Sequence, residues 1–155
     1  MKRITYWPQL VLGITFNVGV LISFAAVTST VNLSIIFLYF AGIFWTLGYD
    51  TIYAHQDKED DFFIGIKSSA LALGANTKPW LFLFYLTALS FLGASAHEVG
   101  LSWPFWAAFL FGAVHFGWQL KRLDINHPAS CLSKFKSNRD FGLIIFLGIV
   151  ASRAL

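Results

Sequence analysis

The chain alternates between long apolar runs and short polar connections. Apolar runs begin near Leu10, Leu33, Pro79 and Trp103, and each extends for about 18 residues or more, the length that crosses a bilayer as a helix. A globule of only 155 residues has too small an interior to bury all of these runs. The pattern therefore predicts an all-α, multi-span transmembrane helical bundle.

We expect about five transmembrane helices in this bundle. Pro8 and Pro104 fit the first turns of the first and fourth helices, where proline loses no hydrogen bond. A polar connection over residues 56–77 should contain a short helix that is capped by Ser68 or Ser69 and reaches Leu73. A second polar connection is expected at 121–139. The five predicted spans are 8–28, 33–53, 79–96, 103–120 and 141–155, the last only marginally long enough to cross.

Composition supports a membrane protein and argues against other classes. The chain is 57% hydrophobic and 12% charged, with a mean hydropathy of +0.65, whereas about a quarter of the residues in soluble domains are charged. The formal net charge of +3 does not indicate nucleic-acid binding, because the basic residues are spread between apolar runs. The lipid bilayer is therefore an expected partner, and nucleic acid is not.

The basic residues also predict how the chain is oriented in the membrane. With the five spans above, ten of the eleven lysines and arginines lie on one side, and only Arg153 lies on the other. Connections rich in Lys and Arg stay on the cytoplasmic or matrix side. We expect the amino terminus and both long connections on that side. The ten residues are Lys2, Arg3, Lys58, Lys67, Lys78, Lys121, Arg122, Lys134, Lys136 and Arg139.

An acidic segment at 49–61 holds five of the eight acidic residues of the chain. On one continuous helix, Asp50, Asp57 and Asp61 would fall within about 40° of one another along about 16 Å of axis, while Glu59 and Asp60 would point elsewhere. Carboxylate oxygens in a row suit Mg²⁺ and, through it, phosphate.

The alternative for this segment is a solvated loop that caps a membrane helix, which is what most charge runs are. The position of Asp50 at the membrane boundary favours a metal site, because a carboxylate is costly there and is usually functional. A metal at this depth indicates a ligand that is both phosphorylated and lipidic, such as an isoprenoid diphosphate. The residues by themselves also leave a cation pathway open.

Two segments of the chain resemble a known family. Residues 49–54 (YDTIYA) and 57–61 (DKEDD), followed by 65–70 (GIKSSA), closely resemble the second aspartate-rich motif of the 4-hydroxybenzoate polyprenyltransferases, in the UbiA superfamily of intramembrane prenyltransferases. Residues 2–13 (KRITYWPQLVLG) resemble the segment that opens the fifth helix of that family. The resemblance extends over essentially the whole chain.

The resemblance implies a partial prenyltransferase domain over residues 1–155. Family members have nine helices around a central cavity and a first motif, Asn-Asp-x-x-x-Asp, which this sequence does not contain. The chain is therefore expected to be the carboxyl-terminal half, helices five to nine, with Met1 an internal methionine of a longer frame. The implied activity is transfer of a polyprenyl group from polyprenyl diphosphate to the ring of 4-hydroxybenzoate, in ubiquinone biosynthesis.

The resemblance also assigns roles to individual residues. In the family, Mg²⁺ bridges the diphosphate to aspartates of both motifs; Asp57 and Asp61 match the metal-binding pair, and Asp50 matches an upstream aspartate. Lys67 and Lys2 are expected to reach the diphosphate and Arg3 the benzoate carboxylate. The alternative for Lys67 is a lysine that only sets the orientation in the membrane, and the alternative for Arg3 is interfacial anchoring. The implied location is the bacterial cytoplasmic membrane or the mitochondrial inner membrane, with the acidic motif on the cytoplasmic or matrix side.

Whether the chain works alone is a separate question. With only one of the two motifs, we expect it to be inactive unless a separate chain supplies helices one to four. Two alternatives stay open at this stage. One is a non-catalytic membrane remnant or interaction partner, and the weaker one is a cation transport protein that uses the acidic segment for selectivity.

Overall fold

The computed structural model describes residues 3–155, and this part of the chain is helical with no strand. The prediction of an all-α bundle is confirmed. A 3-10 turn, Gly74–Asn76, joins the fourth and fifth helices. The helices are α1 (Pro8–Thr28), α2 (Leu33–Ala54), α3 (Lys58–Ile64), α4 (Ser69–Leu73), α5 (Thr77–Glu98), α6 (Trp103–Arg122) and α7 (Pro128–Ala154).

Local signals explain where several helices begin and end. Proline occupies the first turn of α1, α6 and α7. The Asn32 side chain accepts a hydrogen bond from the Ile35 amide at 3.1 Å and so caps α2. Ser68 caps α4 in the same way, through the Leu71 amide at 3.4 Å, which confirms the predicted cap. Gly65 ends α3 with φ +72°, a left-handed conformation that glycine adopts without strain.

Within residues 3–155, three helical segments are long and apolar enough to cross a membrane. They are Pro8–Thr28, Leu33–Ala54 and Ser69–Glu98, and the first two coincide with predicted spans to within one residue. The fourth predicted span is also a single helix, α6. Helix α6 is not apolar enough to count as a membrane span, because His115 and Gln119 interrupt its apolar run. Five long helices are therefore present, and three of them qualify as spans by length and composition.

The second polar connection was predicted wrongly. Residues 121–139 were expected to connect two spans, but α7 begins at Pro128 and includes Lys134, Lys136 and Arg139. Proline in the first turn starts the helix. The polar residues that follow do not stop it, because no Gly or Pro occurs after Pro128 until Gly142. The connection between α6 and α7 is therefore only five residues long, 123–127.

Helix α2 lies at the centre of the bundle and packs against α1, α5 and α7, while α6 pairs with α7. The core between α5, α6 and α7 is aromatic. The ring of Tyr85 stacks on Phe116 with centroids 4.0 Å apart, and Phe116 stacks on Phe141 at 4.1 Å. Helix α1 is the least enclosed of the long helices, with only Gln9 and Gly13 buried.

The contact between α2 and α5 depends on a glycine. A Cβ added at Gly48 would lie 2.5 Å from Cε1 of Tyr85. Tyr85 is fixed on its other side by Phe116 and by a hydrogen bond from its hydroxyl to Gln119 Oε1 at 3.0 Å. The ring therefore has no room to move away from a larger residue at position 48.

We expect Gly48→Ala to lower the free energy of unfolding by about 1–3 kcal/mol, the usual cost of overpacking a core. Gly117→Ala is the matched control, because nothing lies within 4 Å of a Cβ there and alanine is favoured over glycine within a helix. Thermal unfolding of both variants in detergent measures the difference. Equal midpoints for the two variants would show that α2 and α5 are not in close contact at this position.

Candidate functional site

The acidic segment does not lie on one continuous helix, so the predicted stripe was geometrically wrong. Helix α2 ends at Ala54 and α3 begins at Lys58, with a turn between them. Asp50 therefore lies in α2, Asp57 immediately before α3, and Asp61 within α3. The turn places acidic side chains in the first turn of α3, where negative charge is stabilised by the helix dipole.

The three aspartates differ in their surroundings. Asp61 is buried, and Asp50 and Asp57 are half-buried. Within residues 3–155, no three or more His, Cys, Asp or Glu side chains form a group that could hold a metal ion. The chain thus brings the aspartates to one end of α2 without enclosing a complete metal site among its described residues.

The segment after α3 is held against both α1 and α2 by buried polar groups. Gln9 Oε1 accepts a hydrogen bond from the Ser69 amide at 3.2 Å. The hydroxyls of Ser69 and Thr51 lie 2.9 Å apart in a second hydrogen bond. All three side chains are buried, so water does not compete for these bonds. The described part of the first segment that resembles the family, residues 3–13, therefore meets the other two, 49–61 and 65–70, at one end of the bundle.

Two of the three predicted basic residues, Lys67 and Arg3, lie at the same end. Lys67 donates a hydrogen bond from Nζ to the Ile4 carbonyl at 3.2 Å and lies 5.2 Å from the centroid of the Tyr6 ring. It therefore contacts the segment that precedes α1. Arg3 is exposed in that segment, and Lys2 lies outside the described residues. The substrate-binding roles of Lys67, Lys2 and Arg3 stay predictions.

A cleft of about 970 Å³ opens between α1, α2, α6 and α7, and we call it the main cleft. Thr46 Oγ1 accepts hydrogen bonds from Asn17 Nδ2 at 3.0 Å and from the Tyr49 hydroxyl at 3.2 Å. Trp45 donates from Nε1 to Asn138 Oδ1 at 2.9 Å. The cleft is lined by Phe16, Asn17, Trp45, Thr46, Tyr49, Trp118, Ser133 and residues 135–140.

A smaller, apolar cavity of about 270 Å³ adjoins the main cleft, with Asn17 and Trp45 lining both. We call it the apolar cavity. The main cleft thus carries polar side chains among apolar ones, whereas the lining of the cavity beside it is almost entirely apolar. Asp50, next in sequence to the cleft residue Tyr49, is not itself a lining residue. The apolar cavity is also lined by Val20, Leu38, Ala41, Gly42, Ala88, Leu92, Phe141, Gly142, Ile145, Phe146 and Ile149.

The sequence interpretation missed the polar residues of the main cleft. Asn17 carried a usable signal, because it is the only amide in the apolar run 10–27 and an amide at that depth needs a hydrogen-bond partner. Asn138 carried no such signal, because residues 121–139 were predicted to be a polar connection.

His55, in the turn after α2, is buried and bonds to Thr77 Oγ1 through Nε2 at 2.8 Å. Burial, together with a smaller repulsion from Lys58, lowers the pKa of its imidazole to about 4. The backbone of Ile125 acts in the opposite direction, since it would stabilise the protonated ring. His55 is therefore neutral at physiological pH.

The fold and the site define a helical membrane protein with carboxylates at one end of a central helix and an amphiphilic cleft beside it. The model of the UbiA prenyltransferase family matches residues 1–148. The chain belongs to this family. No solved structure gives a significant match to it.

The curated relatives agree with the family match. The chain is 51% identical over 151 residues to the 4-hydroxybenzoate polyprenyltransferase, mitochondrial, of Homo sapiens, covering 97% of this chain and 41% of that protein. The Arabidopsis thaliana protein of the same name is 46% identical over 155 residues, with 99% and 38% covered. That of Caenorhabditis elegans is 48% identical over 155 residues, with 99% and 44% covered. The chain thus spans about two fifths of the length of these relatives.

Proposed function

We propose that this chain forms the second half of a 4-hydroxybenzoate polyprenyltransferase, which transfers a polyprenyl group from polyprenyl diphosphate to the ring of 4-hydroxybenzoate in ubiquinone biosynthesis. The observation that carries the proposal is the main cleft, which contains polar side chains, adjoins an apolar cavity and includes Tyr49, the neighbour of Asp50 in sequence. A polyprenyl donor has this same polarity, with a charged head and an apolar tail. The relatives named for this activity support the choice of substrates.

In this proposal, Asp50, Asp57 and Asp61 bind the diphosphate end of the donor through a divalent cation. By resemblance to the family, this cation is Mg²⁺. Carboxylate oxygens are the donor type that Mg²⁺ prefers. However, residues 3–155 form no complete group of metal-ligating side chains, so these aspartates fit only part of such a site. The remaining ligands, an Asn-Asp-x-x-x-Asp motif, would come from residues outside this sequence, in the same or a separate chain.

The predicted basic residues fit the leaving group. When the bond between the allylic carbon and the diphosphate oxygen breaks, its electron pair stays on the diphosphate, and Lys67 and Lys2 would stabilise that charge. The new carbon–carbon bond forms beside the phenol carbon of the acceptor, and that ring position loses a proton. Arg3 would hold the benzoate carboxylate, a pairing that a guanidinium favours. The apolar cavity would hold the part of the prenyl chain that follows its first two isoprene units.

We further propose that the protein lies in the inner membrane, of a mitochondrion as the names of the relatives suggest or of a bacterium. The three helices that are long and apolar enough to span support membrane insertion. The distribution of lysine and arginine supports an orientation with the acidic segment on the matrix or cytoplasmic side.

Ubiquinone content in cells tests the proposal. The host should lack its own 4-hydroxybenzoate polyprenyltransferase. The chain is co-expressed with the part of the human relative that precedes the matched region; we call this pair the two-chain enzyme. We expect the pair to restore ubiquinone and either part alone not to. Absence of ubiquinone with both parts present in the membrane and associated would count against the proposed function.

A further inference from the structure

The polar side chains within helix α6 are turned towards the protein interior. Gln119 is fully buried and donates hydrogen bonds from Nε2 to Ser137 Oγ at 2.8 Å and to the Lys134 carbonyl at 3.3 Å, both in α7. His115, one turn earlier, bonds to Gln119 at 3.2 Å. The two residues that interrupt the apolar run of α6 are therefore used in packing against α7.

The other side of α6 is apolar and exposed, and we call it the outer face. It is formed by Phe111, Val114 and Trp118, which lie within about 60° of one another around the helix axis. Their side chains are 69%, 70% and 43% exposed. In a soluble protein the apolar side of a helix faces the core and the polar side faces water. Helix α6 has the reverse arrangement, which fits an outer face covered by lipid.

Basic side chains gather where this outer face ends. Lys121 and Arg122 follow Trp118 by three and four residues, so they lie on the same side of the helix, one turn further along. Both are exposed in the last turn of α6. Lys134 of α7 reaches over the Trp118 ring, with Nζ 4.2 Å from the ring centroid. We call Lys121, Arg122 and Lys134 the basic patch.

The basic patch is not neutralised by carboxylates within residues 3–155. None of its three side chains forms an ion pair there, and the acidic residues nearest in sequence have other partners. Asp124 accepts a hydrogen bond from the Asn126 amide at 3.0 Å. Asp140 pairs with Arg139 at 3.1 Å. The patch thus presents three positive charges beside an apolar surface, which complements a ligand with an anionic head and apolar chains.

The position of the patch indicates the lipid headgroup region. Tryptophan near the end of a membrane helix lies at the level of the headgroups, and basic side chains beside it attract anionic lipids. Trp118 also lines the main cleft, but the three side chains of the basic patch do not. The patch is therefore separate from the residues that the proposed prenyl transfer uses.

We propose that the basic patch binds the phosphate of an anionic phospholipid, whose acyl chains lie along the outer face of α6. Lys121 and Arg122 approach the phosphate from α6, and Lys134 approaches it from α7. The guanidinium of Arg122 can donate two parallel hydrogen bonds to phosphate oxygens. A zwitterionic phospholipid has the same phosphate, but its own cation competes with the patch. A net negative charge on the lipid is therefore what the site selects.

Lipid competition on the purified chain in nanodiscs tests this proposal. The discs contain equal amounts of phosphatidylglycerol and phosphatidylcholine with the same acyl chains, and bound lipid is counted by native mass spectrometry. We expect phosphatidylglycerol to be enriched at least about tenfold, because each basic side chain near the membrane surface contributes about fivefold. Equal binding of the two lipids would overturn the proposal. Equally tight binding of soluble glycerophosphoglycerol would also overturn it, since the acyl chains would then contribute nothing.

Substitutions locate the preference on the patch. Arg122→Gln and Lys134→Gln should each lower the enrichment of phosphatidylglycerol by about fivefold. Lys78→Gln is the matched control, because it removes the same charge from an exposed position at the start of α5, on the same predicted side of the membrane. It should leave the enrichment within about twofold. A loss as large in the control would overturn the proposal, and thermal midpoints verify that each variant is folded.

The other occupant to consider is protein. If the first half of the enzyme covers the basic patch, the two-chain enzyme will show no preference between the lipids even though the chain alone does. That result would overturn the lipid site. A preference that persists in the two-chain enzyme supports it. This readout does not depend on product formation, so it stands apart from the test of the proposed function.

Discussion

In the two-chain enzyme, Asp57→Asn and Asp61→Asn are each expected to lower the rate of prenyl transfer by at least about a hundredfold, the scale of losses at metal sites. Both substitutions keep the size of the side chain and remove one negative charge. The expected loss follows from the proposed role of these carboxylates at the diphosphate, where charge develops as the carbon–oxygen bond breaks. The measurement is formation of prenylated hydroxybenzoate with purified protein at saturating divalent cation.

The control for this pair is Glu98→Gln, which removes the same charge from an exposed position at the far end of α5. It should leave the rate within about twofold. Because Asp61 is buried, thermal unfolding must show that the Asp61→Asn variant still folds. Asp57 is half-buried, so Asp57→Asn should affect folding less. Normal rates in both aspartate variants would show that Asp57 and Asp61 do not have the proposed role at the diphosphate.

A bulky residue in the apolar cavity should limit the length of the prenyl chain. Val20 of α1 lines this cavity beside Leu38 and Ala41 of α2. Val20→Trp would fill much of the space of about 270 Å³. We expect kcat/KM for a long-chain donor to fall at least about tenfold, since excluding one or two methylenes from a pocket already costs that much. A donor with two isoprene units should be used almost normally.

Val18→Trp is the matched control on the same helix. Positions 18 and 20 differ by about 200° around the helix axis, and Val18 lines neither the apolar cavity nor the main cleft. The same enlargement there should not change the ratio of rates for long and short donors. If Val20→Trp also leaves that ratio unchanged, the prenyl chain does not pass through the apolar cavity.

Helix limits could be predicted from the sequence wherever the signal is local. Pro8 fixes the start of α1, and Ser68 caps α4, as the sequence predicts. These signals act through the nearest backbone groups, so tertiary contacts hardly alter them. The predicted stripe was wrong for the opposite reason, because it assumed that the helix continues past Ala54 into the acidic segment. The turn at His55 is held by Thr77, which is 22 residues away along the chain.

The main cleft could be predicted only in small part. Its hydrogen bonds join distant residues, such as Trp45 and Asn138, which are 93 positions apart in the sequence. A single sequence does not reveal which of its polar residues pair in this way. The acidic segment, in contrast, was recognisable from its composition and its resemblance to a family motif. The sequence thus predicted the family to which the chain belongs, and the structure added the main cleft.

The most direct test of the central claim is the formation of prenylated 4-hydroxybenzoate by purified protein. The chain is assayed with Mg²⁺, polyprenyl diphosphate and 4-hydroxybenzoate, first by itself and then as the two-chain enzyme. We predict product from the two-chain enzyme and none from the chain by itself, because the aspartates of this chain are only part of the site. Product from the chain alone, or none from a correctly assembled two-chain enzyme, would contradict this account.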